Sequence, residues 1–217
     1  MLLLHGFASD GPTDWISTGW PSALTAAGRP VLVPDLPGHG SSPALADVTP
    51  KAIAGELALA AGDVSEVDVV GYSLGARLAW ELPAVLPVRR LVLGGLSPHE
   101  PFGAVDVEAT LAFAGGGRLP ADQLTAAIAR MITAPGRDPA ALAQCIEGLR
   151  REPFVPVAGT LTVPTRFVAG RDDPVSQGIE TLVPLVPGSD LVQVPGDHGG
   201  ALRGAPFRTA ALTFLTS

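Results

Sequence analysis

The stretch Val69-Val70-Gly71-Tyr72-Ser73-Leu74-Gly75 decides how this chain folds, because it joins a buried strand to an amphipathic helix through a Gly-x-Ser-x-Gly turn. So sharp a turn leaves no room for a Cβ atom on either side of the serine, which accounts for the two glycines. It also pushes the serine hydroxyl into solvent at the helix N-terminus. The pattern in this setting predicts that Ser73 is a catalytic nucleophile.

Short apolar runs rich in Val and Leu recur on both sides of this stretch, with helical stretches between them. Nearly continuous apolar runs are typical of strands buried on both faces. The predicted strands are Leu2–Leu4, Pro30–Val33, Val67–Val70, Leu91–Leu93, Thr165–Val168 and Leu191–Val194. The predicted helices in the same segments are Pro50 to about Ala61 (capped by Thr49), Ser73 to about Val85, and Ala201–Leu215. This alternation predicts an α/β fold with a mostly parallel sheet and helices on both faces.

One segment breaks the alternation, because no strand is predicted between Ser97 and Thr160. It contains three predicted helices instead, near Val107–Ala114, Pro120–Thr133 and Asp138–Arg151. We interpret residues 98–159 as a small helical lid inserted into a core of residues 1–97 and 160–217, since functional segments gather at the ligand-binding edge of such sheets. The alternative is that these helices only add packing.

Length and composition limit the class of protein. The chain has 217 residues, of which 47% are hydrophobic and 16% charged, and this suffices for one folded domain. A single cysteine, Cys145, excludes a disulfide framework and a cysteine-based zinc site. The 14 basic and 21 acidic residues give a formal net charge of -7 without a basic stripe, which argues against a nucleic acid partner.

No apolar run approaches the roughly 20 residues needed to span a bilayer, so membrane insertion is not expected. The apolar segment Met1–Phe7 lacks the basic region, the long apolar core and the cleavage site of a signal peptide. We therefore expect a cytoplasmic location.

A nucleophilic serine needs a neighbouring base, because a free hydroxyl is essentially un-ionised at neutral pH. His5 and His39 each lie in a His-Gly dipeptide at a strand end, which favours a loop-bracing role. His99 opens the insertion and has no supporting motif. His198 lies between the last strand and the terminal helix, at the sheet edge that also carries Ser73, and is the candidate base.

The acid that orients this histidine should come from the same edge of the sheet. The loop after the next-to-last strand offers two carboxylates, Asp172 and Asp173. One of them would hold the imidazole, and the other would be solvated or would cap a helix. The loop Gly94–Pro98, which follows the preceding strand, contains no acid. The residues themselves leave the choice between the two aspartates open.

Four motifs in order along the chain resemble those of the α/β-hydrolase superfamily, and they extend over nearly its whole length. They are Leu4–Phe7 (Leu-His-Gly-Phe), Asp35–Ser42 (Asp-Leu-Pro-Gly-His-Gly-Ser-Ser), Gly71–Gly75, and Gly170–Asp173 followed by Gly196–His198. The resemblance implies the α/β-hydrolase fold, with Ser73 as nucleophile and His198 as general base. It implies that Asp173 is the acid, with Asp172 as the fallback.

The same resemblance implies an oxyanion hole formed by the backbone N–H groups of Phe7 and Leu74. It implies no metal and no organic cofactor. The single glycine before Phe7 resembles members that act on short or medium acyl chains.

The chain also departs from the family pattern. The family normally carries a strand hairpin before the His-Gly strand, whereas this chain begins inside that strand, so the hairpin is apparently missing. We expect either a minimal member or a truncated start. A sheet edge left uncovered could pair with a second copy of the chain, so a homodimer is expected as one outcome.

Within the superfamily the chain resembles the menaquinone-pathway SHCHC synthases, which are pyruvate-eliminating lyases. The shared residues are His5-Gly6-Phe7, Asp10, Trp15, Asp35–Gly40, Gly71–Gly75 and Arg77. In that family the arginine four residues after the serine holds a substrate carboxylate, a use that suits a planar cation. Tyr72 and Arg77 are therefore candidate substrate-binding residues, and an ordinary helix-surface charge is the alternative for Arg77.

Three functions remain open at this stage, all with a small molecule as the partner. The first is a serine hydrolase that cleaves a small carboxylic ester, thioester or lactone through a Ser-His-Asp triad and an acyl-enzyme. The second is a cofactor-free lyase in which the triad abstracts a proton. The third is a ligand-binding member with little turnover, against which the correctly ordered triad argues.

Overall fold

The computed structural model describes residues 1–26, 28 and 30–216, and a parallel β-sheet lies at their centre. Within these residues the sheet has five strands in the spatial order β1-β2-β3-β4-β5, and each neighbouring pair is parallel. Both β1 and β2 are buried along their whole length, as their apolar sequences predict. The strands are β1 (Leu2–Leu4), β2 (Val67–Tyr72), β3 (Val88–Gly94), β4 (Thr165–Gly170) and β5 (Asp190–Val194).

Eight α-helices of the described residues connect the strands or follow them. They are α1 (Trp20–Ala26), α2 (Pro50–Ala61), α3 (Leu74–Ala79), α4 (Val107–Ala114), α5 (Gln123–Ile132), α6 (Pro139–Arg151), α7 (His198–Arg203) and α8 (Ala205–Thr216). A π-helical turn spans Pro12–Ile16, and 3-10 turns span Leu82–Ala84 and Ile179–Leu185. The predicted cap of α2 is confirmed, because the Thr49 hydroxyl accepts the backbone N–H of Ala52.

Each face of the sheet has its own apolar core, because side chains alternate between the two faces of a strand. One core packs Leu3, Val70 and Val92 against Trp20 of α1 and Phe207 of α8. The other packs alternate strand residues against α2, α3 and the helices α4–α6, and its strand members include Leu4, Val69 and Leu91. The layered α/β architecture predicted from the sequence is therefore confirmed.

The strand predicted at Pro30–Val33 is wrong as a full strand. The described residues of this segment form a single parallel bridge, between Leu32 and Leu2. The Leu32 N–H donates to the Met1 carbonyl, and the Leu32 carbonyl accepts the N–H of Leu3. On one side of this bridge the Pro30 carbonyl accepts the amino group of Met1 at 2.8 Å, whereas on the other side Pro34 has no N–H to donate and the ladder stops.

Three predicted helices also differ in their bounds. The helix predicted from Pro120 begins at Gln123, after the Asp122 cap. The helix predicted from Ser73 to about Val85 ends at Ala79, and a 3-10 turn containing Pro83 follows it, since proline cannot donate inside a helix. The terminal helix begins earlier than predicted, at His198, and is divided in two at Gly204, just before Pro206. The strand-free segment between β3 and β4 is confirmed, and α4 has its predicted bounds.

The turn from β2 into α3 depends on close backbone approach at two glycines. A Cβ atom on Gly71 would overlap the carbonyl group of Gly75, across the turn. A Cβ atom on Gly75 would overlap the carbonyl of Leu4 in the neighbouring strand β1. Both positions therefore require glycine for steric reasons rather than for backbone flexibility.

We expect Gly75→Ala to lower the free energy of unfolding by about 3 kcal/mol or more, because the added methyl has no space between α3 and β1. The matched control is Gly55→Ala in α2, where a Cβ meets nothing within 4 Å. That control should raise the free energy of unfolding by roughly 0.5–1 kcal/mol, as alanine favours the helix. Urea unfolding followed by circular dichroism measures both, and equal stability of the two variants would contradict the packing argument.

Candidate active site

Ser73 lies at the sharp turn between β2 and α3. Its backbone has φ of 53° and ψ of -115°, a left-handed conformation that is unusual for a residue with a side chain. The backbone N–H of Ser73 donates to the Gly94 carbonyl at 2.8 Å, which anchors the turn to the end of β3. Such strain persists only when the surrounding structure holds it, and here it presents the hydroxyl at the carboxyl edge of the sheet.

His198 begins α7, directly after the Asp197 cap, and its ring pairs with Asp173. The His198 Nδ1 atom lies 2.8 Å from Asp173 Oδ2. Because an ionised carboxylate can only accept, Nδ1 carries the proton and Nε2 is left free to take one. The structure thus brings Asp173 to the histidine, whereas Asp172 is exposed and does not contact it.

Asp173 is held in place by hydrogen bonds that favour its charged form. The carboxylate accepts the Ser176 hydroxyl at 2.6 Å and the Val175 N–H at 2.9 Å, in addition to His198. Burial by itself raises the pKa of Asp173, but the hydrogen bonds from His198 and Ser176 outweigh it, and the pKa lies below its usual value. The ring of His198 therefore faces a fixed negative charge.

Ser73 and His198 line the same cavity, which has a volume of about 420 Å³. Among the described residues, no hydrogen bond joins the Ser73 hydroxyl to the His198 ring. Such contacts commonly tighten only when substrate is bound. The cavity also receives apolar side chains from the insertion between β3 and β4, namely Phe102, Leu124, Ile128 and Met131.

The two predicted oxyanion-hole residues both lie near Ser73. Phe7 lines the cavity, and Leu74 is the first residue of α3. Within the described part of the chain, neither backbone N–H donates to a protein acceptor. Both groups are therefore free to bind an oxygen atom next to the serine.

Asp14 supports the loop that carries Phe7, and sequence reasoning did not identify it. Its buried carboxylate accepts the Gly6 N–H at 2.9 Å and the Ser9 hydroxyl at 2.5 Å. No local sequence motif predicts this role, because the hydrogen bonds join Asp14, in a π-helical turn, to residues of the preceding loop.

His5 and His39 brace loops beneath the site. The Leu36 N–H donates to His5 Nε2 at 2.9 Å, so the proton of this ring lies on Nδ1, which donates to the Gly6 carbonyl at 2.8 Å. Burial lowers the pKa of His5. Burial also lowers the pKa of His39 to about 4, and the nearby His5 adds to this effect. Both rings are consequently neutral at physiological pH, as the loop-bracing interpretation requires.

Tyr72 and Arg77, the two candidate substrate-binding residues, occupy different surroundings. Tyr72 lines the cavity, and its hydroxyl donates to the backbone carbonyl of His198 at 2.6 Å. Burial raises the pKa of Tyr72, so this hydroxyl remains a donor at ordinary pH. Tyr72 therefore positions the histidine as well as facing the cavity.

Arg77 is buried in α3 and is already engaged by protein groups, so it is not a helix-surface charge. Its Nη1 lies 2.6 Å from Glu81, and its Nη2 donates to the Glu152 carbonyl at 3.2 Å. The guanidinium also stacks over the Phe154 ring, 4.8 Å from the centroid. A substrate carboxylate would have to compete with Glu81 for this cation.

The described residues form neither a metal-binding cluster nor a membrane-spanning helix. No group of three or more His, Cys, Asp or Glu side chains in residues 1–26, 28 and 30–216 is arranged to hold a metal ion. No helix within those residues is long and apolar enough to cross a membrane.

Burial raises the pKa of Cys145 to about 12, which makes this thiol unreactive.

Comparisons with known proteins agree with this architecture. The sequence model of the alpha/beta hydrolase family matches residues 1–212. A comparison with curated proteins finds no match.

Several solved structures share the fold at low sequence identity. An esterase from Thermogutta terrifontis is 21% identical with a TM-score of 0.75, over 99% of this chain and 88% of that chain. The enol-lactonase from Burkholderia xenovorans LB400 is 19% identical with a TM-score of 0.74, over 100% of this chain and 90% of that one. MenH from S. aureus is 22% identical with a TM-score of 0.73, over 99% of this chain and 92% of that one. Identities this low show the fold alone.

The lowered pKa of Asp173 predicts how the stability of the folded state depends on pH. Folding lowers the pKa of this carboxyl group, so its charged form stabilises the folded state. This contribution is complete above the pKa of the unfolded state, which is about 4. It is lost as the pH falls through the pKa of the folded state. We therefore expect the difference in unfolding free energy between the wild type and Asp173→Asn to be larger at pH 6 than at pH 3. Urea unfolding at both pH values measures it.

Asp172→Asn is the control for this experiment, because Asp172 is exposed and does not hydrogen-bond to His198. Its difference from the wild type should be small at both pH values. A difference for Asp173→Asn that stays constant between pH 6 and pH 3 would contradict the assignment.

Proposed function

The chain belongs to the alpha/beta hydrolase family, and on that premise we propose that it is a serine hydrolase acting on a small carboxylic ester, thioester or lactone. The observation that carries the proposal is the pairing of His198 Nδ1 with Asp173 at 2.8 Å, beside a cavity that Ser73 also lines. The esterase and the enol-lactonase among the structural neighbours are consistent with a hydrolase in general.

The proposed reaction begins when the Ser73 hydroxyl oxygen attacks the substrate carbonyl carbon. His198 Nε2 takes the hydroxyl proton, and the buried Asp173 carboxylate stabilises the imidazolium that forms. The tetrahedral intermediate collapses as the bond to the leaving group breaks, and His198 returns the proton to that group. A water molecule, deprotonated in turn by His198, then hydrolyses the acyl-enzyme and regenerates Ser73.

The oxygen that becomes negative during both steps would bind to the free N–H groups of Phe7 and Leu74. Each such donor is worth roughly two to three orders of magnitude in rate in related chemistry. Asp14 would act as a positioning residue for this hole through Gly6, and Tyr72 as one for His198. None of these steps requires a metal or an organic cofactor.

We further propose that residues 98–159 act as a lid over the site. This segment supplies Phe102 and three side chains of α5 to the cavity wall, so it controls the shape available to a substrate. It is also tied to the loop after Phe7, because Arg137 pairs with Asp10 at 2.8 Å.

The lyase resembling SHCHC synthases is the alternative function, and the surroundings of Arg77 weigh against it. That role needs a cation available to a substrate carboxylate, whereas Arg77 is paired with Glu81 and stacked on Phe154. Loss of function in Arg77→Met without any ester turnover by the wild type would favour the lyase. No turnover of any substrate would favour a ligand-binding member of the family.

Hydrolysis of 4-nitrophenyl esters of graded acyl length, with the wild type and Ser73→Ala in parallel, tests the hydrolase. We expect the activity of Ser73→Ala to fall to the background rate. A folded wild type without turnover, or a Ser73→Ala variant as active as the wild type, would refute the proposal.

A pair of neighbouring aspartates gives a sharper test of the triad. We expect Asp173→Asn to lower kcat by about 10³–10⁴-fold, because an amide cannot stabilise the imidazolium or hold its tautomer. Asp172→Asn makes the same chemical change at the preceding position in the chain. Its kcat should stay within a few-fold of the wild type. Equal losses in the two variants would contradict the role given to Asp173.

A further inference from the structure

Ser73 lines two neighbouring cavities of very different size. The larger cavity is the one of about 420 Å³ that contains His198. The smaller pocket has a volume of about 40 Å³ and shares Pro101, Phe102 and Val175 with the larger one. The residues found only in the smaller pocket are Leu74, Arg77, Leu96, Ser97, His99, Glu100, Leu149 and Phe154.

The place of His198 assigns the two cavities to the two halves of an ester. In the proposed reaction His198 must reach the leaving-group oxygen in order to protonate it. His198 lines the larger cavity and is not among the described residues that line the smaller pocket. The leaving group therefore belongs in the larger cavity, and the acyl chain must extend the other way.

The oxyanion hole agrees with this arrangement. Phe7 lines the larger cavity and Leu74 lines the smaller pocket, so the two predicted oxyanion-hole residues lie where the cavities meet at Ser73. When the carbonyl oxygen is bound there, the acyl chain and the alkoxy group on the carbonyl carbon point in different directions.

The size of the smaller pocket limits the acyl chain. A single water molecule needs roughly 10–15 Å³ of such space, so about 40 Å³ holds about three groups of that size. Counting the carbonyl carbon at Ser73, the pocket accommodates an acyl group of up to about four carbons.

The chemistry of the smaller pocket disfavours a charged acyl group. Leu96, Leu149 and Phe154 give it apolar walls. The cation of Arg77 is neutralised by Glu81 at 2.6 Å, and Glu100 would add repulsion toward a carboxylate.

We infer that the preferred substrates are esters of short, uncharged acyl groups, up to about butyryl in size, with a larger apolar alcohol as the leaving group. This inference rests on the proposed hydrolase function and specifies its substrate class. Leu149 and Leu96 are then specificity-determining residues for the acyl chain, and Leu124 and Met131 contact the alcohol.

A pair of isomeric esters tests the inference directly. Hexyl acetate and methyl heptanoate have the same composition, but the long chain lies on the alcohol in the first and on the acyl group in the second. We expect kcat/KM to be at least about tenfold higher for hexyl acetate, measured by acid release in a pH-stat. Equal values, or a preference for methyl heptanoate, would overturn the inference.

Enlarging each cavity in turn provides the matched variants. Leu149→Ala lengthens the smaller pocket and should raise the kcat/KM of methyl heptanoate relative to hexyl acetate by about tenfold. Met131→Ala removes an apolar contact with the alcohol, so it should lower the kcat/KM of hexyl acetate and leave that of methyl heptanoate within a few-fold of the wild type. Leu149 is fully buried, so Leu149→Ala could unfold the protein. The smaller change Leu149→Val is therefore tested as well, and thermal unfolding verifies that each variant is folded.

The outcomes separate this inference from the function on which it rests. If a folded wild type hydrolyses neither ester nor any 4-nitrophenyl ester, the proposed function fails. If both isomers are hydrolysed in a Ser73-dependent reaction but the acyl side tolerates the long chain, the function stands and the assignment of the two cavities is wrong. A ratio that does not change in Leu149→Ala or Leu149→Val also contradicts the assignment.

Discussion

The structure depends above all on the close approach of backbone atoms around Ser73. A side chain at Gly71 or Gly75 would collide with carbonyl groups of the turn or of β1, so α3 can lie directly against the sheet only with glycine at both positions. That contact forces Ser73 into its left-handed conformation and raises its hydroxyl above the strand ends. Ser73 lines both cavities, and His198 lines the larger one.

The site is assembled from loops. These loops are held in place by hydrogen bonds to carboxylates that are buried, as at Asp14 and Asp173, or half-buried, as at Asp35. Asp14 anchors the loop before Phe7, Asp173 anchors the loop facing His198, and Asp35 accepts the N–H groups of Gly11 and Ser41. Charge-assisted bonds of this kind are stronger than neutral ones, and they give loops the rigidity that strands and helices already have. A preorganised site follows from this pattern, because its donors need not reorganise during a reaction.

The insertion joins this framework through an ion pair as well as through apolar packing. Arg137 lies between α5 and α6 and bonds to Asp10, while the rings of Phe7 and Phe102 lie 4.9 Å apart. Hydrogen bonds from Thr13 and Arg137 overcome the effect of burial and lower the pKa of Asp10 to about 2, so the pair persists through the physiological range. The wall of the larger cavity is thereby coupled to the loop that carries Phe7.

The sequence by itself determined five strands of the parallel sheet and the alternation of strands and helices along the chain, because apolar runs, caps and turn glycines act locally. It could not identify the single bridge at Leu32, the brace at Asp14 or the bond from Tyr72 to His198, and it left Asp172 and Asp173 as alternatives. Each of these depends on atoms far apart in the chain, such as the hydroxyl of Tyr72 and the carbonyl of His198, which lie 126 positions apart. Only the tertiary structure decided them, because a hydrogen bond or a cavity requires atoms to be placed to within a fraction of an ångström, and the packing of whole layers sets that placement.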